Sequence, residues 1–253
     1  MQLIDSHCHF DDPRFNPDRD SLYRRARDAG VSTQIVPAVT RNNWERVKQT
    51  CERYPGLHPA YGLHPMFMAA HGGGDPAALA DWLERESAVA VGECGLDFFI
   101  DDPCREEQLQ LFEQQVSLAR RLDLPLIIHA RKAVEQVIDI LRRYPGSRGV
   151  LHSFSGSQQQ ALRLMELGFL MSFGGAVTYQ RATRLQRLVA ELPLDHIMLE
   201  TDAPDQPDAG IRGQRNEPAR LSVIASAIAE LRGESADEIA RTTSSNTERL
   251  FGI

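Results

Sequence analysis

Nowhere in the 253 residues does an apolar run approach the roughly 20 residues a membrane-spanning helix needs, so no membrane is expected as a partner. The four cysteines, Cys8, Cys51, Cys94 and Cys104, never fall at CxxC spacing. That argues against a thiolate zinc site and against a disulfide framework. Basic residues are in the minority: 28 Lys+Arg stand against 35 Asp+Glu, for a formal net charge of −7. A general nucleic-acid coat is thereby excluded, whereas one local basic site is not. A charged-then-apolar leader is also missing. The chain opens on a strand-like MQLIDSHCHF, and the cytoplasm is the expected location. There is no internal repeat, low-complexity tract or linker, and no obligate protein partner is indicated. Hydrophobic residues make up 42% of the chain, enough to bury a large core, so disorder by composition is excluded and a single domain over 1–253 is expected.

What is present is a regular alternation. Short apolar runs suited to strands occupy 3–7, 31–39, 57–63, 88–93, 125–130, 149–154, 169–174 and 196–201. Between them lie segments of helical spacing at 18–29, 42–53, 76–86, 105–123, 132–143, 157–167 and 180–191, followed by the pair 217–232 and 235–250. In 105–123, Leu109, Phe112, Val116 and Ala119 recur at three and four residues, as one buried face requires. Eight strands alternating with helices in this length predict an α/β fold, a (β/α)₈ barrel. An open doubly wound sheet normally carries a glycine-rich turn after its first strand. Here that turn is DSHCHFDD, which cannot wrap a pyrophosphate, and the barrel is preferred. HGGGDP (71–76) and the stretch 203–218 read as loops.

Alternate residues of a strand share a face, so His7 and His9 project together, roughly 6–7 Å apart at Cα, with Cys8 turned away to pack. Alone, such a pair also reads as two loop histidines. Other strand ends repeat the pattern: Glu93 ends the fourth strand, His129 the fifth and His152 the sixth. LETDAP brings Glu200 and Asp202 onto one face at the eighth. Each has an ordinary reading, His129 as a core histidine and Glu93 or Asp202 as a cap for the next helix. Together they coincide at the end of the barrel where active sites are built. Four imidazoles and two carboxylates without a thiolate suit Zn²⁺, Mn²⁺ or Mg²⁺. They exceed what one tetrahedral catalytic zinc takes, and two divalent cations about 3.5–4 Å apart, bridged by a carboxylate, use them all. Two dications against two carboxylates leave such a site positive and favour an anionic substrate.

At this point the sequence resembles the TatD-type metal-dependent deoxyribonucleases, a branch of the amidohydrolase barrels. The resemblance runs through DSHCHF, YGLHP (61–65), VGECGLDF (91–98), IIHAR (127–131), LHSFSGS (151–157), LETDAP (199–204), RGQRNEP (212–218) and NTERLFGI (246–253). It implies His7, His9, Glu93 and Asp202 around one metal, with Glu93, His129 and His152 around a second and Glu93 bridging. The chain departs from the family's usual pattern at Ser153, where relatives commonly carry cysteine, at Gln214, where they tend to carry lysine, and in the acidic DAPDQPDAG stretch (202–210), where they often carry an aromatic. Ser153 is expected to point away from the ligands.

The expected activity is hydrolysis of phosphodiesters, with nucleotides released from single-stranded or frayed DNA ends. Asp202 is assigned as general base. Glu200 is grouped with it as the residue steering Asp202 or a histidine. His64, Arg131, Arg212 and Arg215 are candidates for holding phosphoryl oxygens, against plain readings as a turn histidine and surface charges. Phe98 and Phe99 stack a base or pack in the core. The alternatives are hydrolysis of a small ester, an amide or an aminoacyl ester on RNA, and a metal-holding protein without turnover.

Overall fold

The computed structural model describes residues 2–100 and 104–253. Its strands are β1 (Leu3–Asp5), β2 (Val31–Pro37), β3 (Leu57–Tyr61), β4 (Ala90–Asp97), β5 (Leu126–Arg131), β6 (Gly149–Leu151), β7 (Phe169–Phe173) and β8 (Ile197–Leu199). They are joined in that order into one sheet, and every neighbouring pair is parallel. The helices are α1 (Arg19–Asp28), α2 (Trp44–Arg53), α3 (Asp75–Arg85), α4 (Arg105–Arg121), α5 (Val134–Arg142) and α6 (Gln158–Glu166). They continue with α7 (Thr183–Glu191), α8 (Leu221–Arg232) and α9 (Ala236–Phe251). Each expected strand and helix is found. The 217–232 segment divides, with a 3₁₀ turn at Pro218–Arg220 leading into α8, because Pro218 offers no backbone donor.

The sheet is nearly closed into a barrel, a (β/α)₈ architecture. Beyond the strands proper, Ser6 N–H donates to Leu199 O at 2.9 Å and Asp202 N–H to His7 O at 2.9 Å, so β1 and β8 meet by backbone bonds past their ends. Asp5 is fully buried at this seam. Its carboxylate accepts the Thr201 N–H at 2.9 Å and the Thr201 hydroxyl at 2.5 Å. Burial pushes the Asp5 carboxyl up to about 8 even though these donors pull it down.

Two apolar layers build the body. One lies between the strands and the surrounding helices. The other fills the barrel, where Ile35, Ala60, Ala90, Ile127, Val150 and Met198 meet Leu250 and Phe251 of α9. The C-terminal helix therefore plugs one end of the barrel. The candidate site residues gather at the other, at the C-terminal ends of the strands.

α4 departs from its expected pattern in an instructive way. Leu109 is only partly buried, whereas two glutamines two turns apart, Gln108 and Gln115, are buried. Gln115 accepts the Leu63 N–H at 2.8 Å and donates to the Leu63 carbonyl at 3.0 Å, just past β3. Gln108 does the same for Asp97 at the end of β4, at 2.8 and 3.0 Å. Each amide completes backbone pairing where the strand ladder stops, so the buried polarity is satisfied at both partners. Replacing Gln115 by leucine keeps the volume but strands a buried donor and acceptor. Gln115→Leu is expected to destabilise the fold by about 2–4 kcal/mol in chemical denaturation. Gln110→Leu, on the exposed face of the same helix, is expected to stay within about 0.5 kcal/mol of wild type.

Candidate metal centre

β4 does not end at Glu93 as expected but continues through Asp97, with a register shift against β5 between Val91 and Cys94. Gly95 makes this possible. Its φ is +130°, and a Cβ there would lie 2.1 Å from the His129 carbonyl oxygen, so only glycine lets β4 and β5 run this close. The irregularity turns the Glu93 side chain into the barrel mouth, where it is 2% exposed.

Glu93 divides the site. Its Oε2 lies 3.2 Å from His7 Nε2 and 3.5 Å from His9 Nε2. Asp202 Oδ1 lies 3.5 Å from each of the same nitrogens, which are 3.3 Å apart. Glu93 Oε1 faces the other way, 2.9 Å from His152 Nε2, 3.4 Å from His129 Nδ1 and 2.7 Å from His64 Nε2. His129 Nδ1 and His152 Nε2 are 3.1 Å apart. Cys8, between His7 and His9, is fully buried against the core and 3.6 Å from the Ala203 carbonyl, a packing residue as expected.

For three of the rings, hydrogen bonds at the far side fix which nitrogen carries a lone pair. His9 Nδ1 donates to the Pro37 carbonyl at 3.2 Å, which leaves Nε2 free to ligate. His129 Nε2 donates to Asp97 Oδ2 at 2.9 Å, which leaves Nδ1 free. His64 is the reverse. Its Nδ1 accepts the Met66 N–H at 3.0 Å, so its Nε2 carries the proton and donates to Glu93. The structure thus brings His64 into the cluster as a donor to Glu93, 4% exposed.

These residues fit a metal. Three groupings, His7–Glu93–His152, His7–His9–Asp202 and His64–Glu93–His129, each bring ligand atoms within 4.8 Å of one another. Ligand bonds of about 2.0–2.1 Å around a tetrahedral ion imply edges of about 3.3–3.4 Å. The His7, His9, Glu93 and Asp202 atoms are separated by 3.2–3.5 Å. Several ring nitrogens face one another and carboxylates in a buried space, an arrangement a cation resolves. Protonation tells the same story. Burial and the neighbouring His152 push His7 down to about 4, a neutral imidazole. Burial would raise Glu93, but His64, His152 and His7 outweigh it and hold its carboxyl well below the usual range. Burial lowers His152, yet the Glu93 carboxylate dominates and pushes it up to about 10, a proton that a cation would displace.

Around this centre lies a cavity of about 700 Å³. Asp202 lines it and Glu200 does not. Glu200 is fully buried beneath His152, accepting the Ser153 N–H at 2.7 Å and the Ser172 hydroxyl, with its Oε1 3.8 Å from His152 Nδ1. Burial, only partly offset by His152, raises its carboxyl to about 6. Ser153 does not point away. With φ at +48° its hydroxyl turns toward the mouth and bonds Gln206, whose amide nitrogen also donates to Asp202 Oδ2 at 2.6 Å. Arg131 lines the cavity. Arg212 is exposed outside it. Arg215, likewise outside, is engaged by Asp18 at 2.7 and 2.9 Å, which ties its loop to the start of α1.

Asp97 and Gln206 were not singled out in the sequence. Asp97 falls beyond the strand's expected end, and its alternation with Glu93 and Gly95 is the one signal that pointed to it. Gln206 sits in an acidic loop with no periodicity to read.

The family described as TatD related DNase matches residues 4–252. The chain is 44% identical to the Escherichia coli (strain K12) protein named "Uncharacterized metal-dependent hydrolase YjjV", over 100% of this chain and 98% of that one. It is 34% identical to the Mus musculus protein named "Putative deoxyribonuclease TATDN3", over 99% of this chain and 88% of that one. The crystal structure of the E. coli TatD homologue YjjV superposes with a TM-score of 0.95, covering 99% of this chain and 98% of that one. A TatD family hydrolase from Entamoeba histolytica, 21% identical with a TM-score of 0.87 and covering 99% and 98%, shares the fold. With an unbroken match from β1 to the end of α9, and with the buried histidines and carboxylates gathered at the barrel mouth, this chain belongs to the TatD-related DNase family.

Proposed function

We propose that the protein is a metal-dependent hydrolase of phosphodiesters that releases nucleotides from single-stranded or frayed DNA ends. The observation that carries this reading is that one buried carboxylate, Glu93, turns its two oxygens toward separate sets of imidazoles at the floor of a wide cavity. In this reading His7, His9, Glu93 and Asp202 hold one divalent cation, and Glu93, His129 and His152 hold a second. Zn²⁺, Mn²⁺ and Mg²⁺ are the ions that the donor set suits. When bound, such cations polarise a phosphoryl oxygen and lower the pKa of coordinated water from 15.7 toward about 7.

The chain's own side chains do the rest. Asp202 lines the cavity beside the His7 and His9 rings, and it accepts the proton given up by the attacking water. The Gln206 amide donates to its Oδ2 and holds the side chain in place. His64 donates to Glu93 and keeps that carboxylate oriented between the two sets. Asp97 and Glu200 act through the rings of His129 and His152, setting their orientation. Supported by four free cysteines, which persist in a reducing compartment, the cytoplasm is the proposed location.

The mouse relative's name points to DNA, and the names of the bacterial relatives do not go beyond metal-dependent hydrolysis. The first test is nucleotide release from an end-labelled single-stranded DNA oligomer by protein stripped of metal and reloaded with Mg²⁺, Mn²⁺ or Zn²⁺. Release is expected to require metal and to fall by about 100-fold or more in Asp202→Asn. Full turnover in that variant overturns the assignment, and failure of every metal-loaded sample to release nucleotide moves the reading to a small ester or amide. Asp97→Asn keeps the shape of the side chain but weakens its grip on the His129 ring. It is expected to cost about 10–100-fold in affinity for Zn²⁺, measured by calorimetry on the stripped protein. An unchanged affinity removes Asp97 from the site.

A further inference from the structure

The mouth of the cavity has two unlike sides. On the side of β1 and the loop after β8, every lining arginine is held by carboxylates. Arg14 is forked onto Asp205 at 2.7 and 2.8 Å and onto Asp12 at 2.9 Å, and Arg46 reaches Asp11 at 3.0 Å. Those cations are spent, and Asp12 and Asp205 line the opening beside them. A phosphate arriving there meets paired guanidiniums and carboxylates.

The side built from the ends of β3, β4 and β5 is the opposite. Five large apolar side chains are exposed among the described residues, and three of them, Met66 at 47%, Phe67 at 41% and Phe99 at 56%, sit here. Phe67 stands edge-on to His64, with ring centroids 5.7 Å apart, and so adjoins the residue that bonds Glu93. Arg131 lies two residues past His129 and lines the cavity, with its guanidinium carbon 3.9 Å from the centroid of the Phe99 ring. Among the described residues no carboxylate lies within ion-pair distance of it, although the nearby Asp97 carboxylate feels its charge. Stacking engages only the flat face of a guanidinium. Among the described residues its N–H edge makes no hydrogen bond, and that edge has the geometry that takes two phosphate oxygens at once.

We propose that this side is a nucleotide-binding shelf, in which Arg131 takes a backbone phosphate while Phe67 and the open face of Phe99 stack the flanking bases, so that a single strand leaves the metal centre across β3–β5. The inference rests on the phosphodiester reading above and adds to it the path of the strand. It also reconciles an acidic protein with an anionic polymer. One cation without an ion pair among the described residues, beside exposed rings, holds an end, whereas tight binding along a duplex needs many.

The test is fluorescence anisotropy of a labelled single-stranded DNA oligomer on the Mn²⁺-loaded protein, across a series of KCl concentrations. The same oligomer with abasic sites in place of its terminal bases is run alongside. For Arg131→Gln, the slope of log affinity against log salt is expected to shrink by about 0.7, one phosphate contact on a single strand. For Phe99→Ala and Phe67→Ala, binding of the intact oligomer is expected to weaken about 5-fold or more, with the abasic oligomer unaffected. An unchanged salt slope, equal losses on intact and abasic oligomers, or no binding by the wild type each overturn the shelf. Nucleotide release is followed in the same wild-type samples. Binding with these signatures but without release counts against the phosphodiester reading and leaves the shelf standing.

Discussion

Everything at the barrel mouth is arranged around one costly fact, an ionised Glu93 carboxylate buried to 2% exposure. A buried carboxylate without partners would neutralise itself or unfold its surroundings. Here His7, His64, His129 and His152 surround it, each delivered by a different strand or strand end. No single element can satisfy it, so the carboxylate is stable only when the barrel has closed. Fold and site are in this sense one requirement. The strands need the helices to hold their ends, through Gln108 and Gln115. The ends in turn are what bring the imidazoles within reach of Glu93.

The division of labour runs along the barrel axis. At the plugged end Ile35, Ile127 and Met198 pack on Leu250 and Phe251 in an apolar cluster. The open end is polar and is stabilised by hydrogen bonds between groups that would each be expensive alone. Asp5 belongs to this second set. It closes the seam between β1 and β8 by holding Thr201, which fixes the segment from which Asp202 projects. An acid that reads in sequence as an ordinary strand-end residue therefore sets where Asp202 stands.

How far the sequence foretold this depends on the range of the interaction. Strand and helix order follows from local periodicity, and every element was legible for that reason. Gathering of His7, His9, Glu93, His129, His152 and Asp202 at one end follows from strand order alone, since equivalent positions of a barrel converge. What failed to show were features set by contacts between distant segments. The length of β4 depends on Gly95 passing close to His129. Two buried glutamines on α4 break the apolar pattern because their partners are backbone groups of other elements, invisible to periodicity. Arg215 looked like a cation for phosphate, and its pairing with Asp18, almost two hundred residues earlier in the chain, is not a matter of spacing. Ser153 was misread for a local reason. Alternation along a strand does not carry to Ser153, two residues beyond β6, where a φ of +48° reverses the direction of the side chain.

That last residue is one of three at the mouth with the same uncommon backbone. Ser153, Asp202 and Gln206 have φ of +48°, +54° and +47°, a region non-glycine residues enter at a cost on the order of 1–3 kcal/mol each. Their side chains are bonded to one another, the serine hydroxyl to the glutamine amide and the amide to Asp202. Strain of this kind persists only where surrounding bonds over-determine it. Here those bonds end on the carboxylate proposed to take the proton. Relaxing any one of the three would turn its side chain off the other two. The Ser153 hydroxyl is therefore part of the support of Asp202, since a thiol in its place would be a weaker partner for the amide.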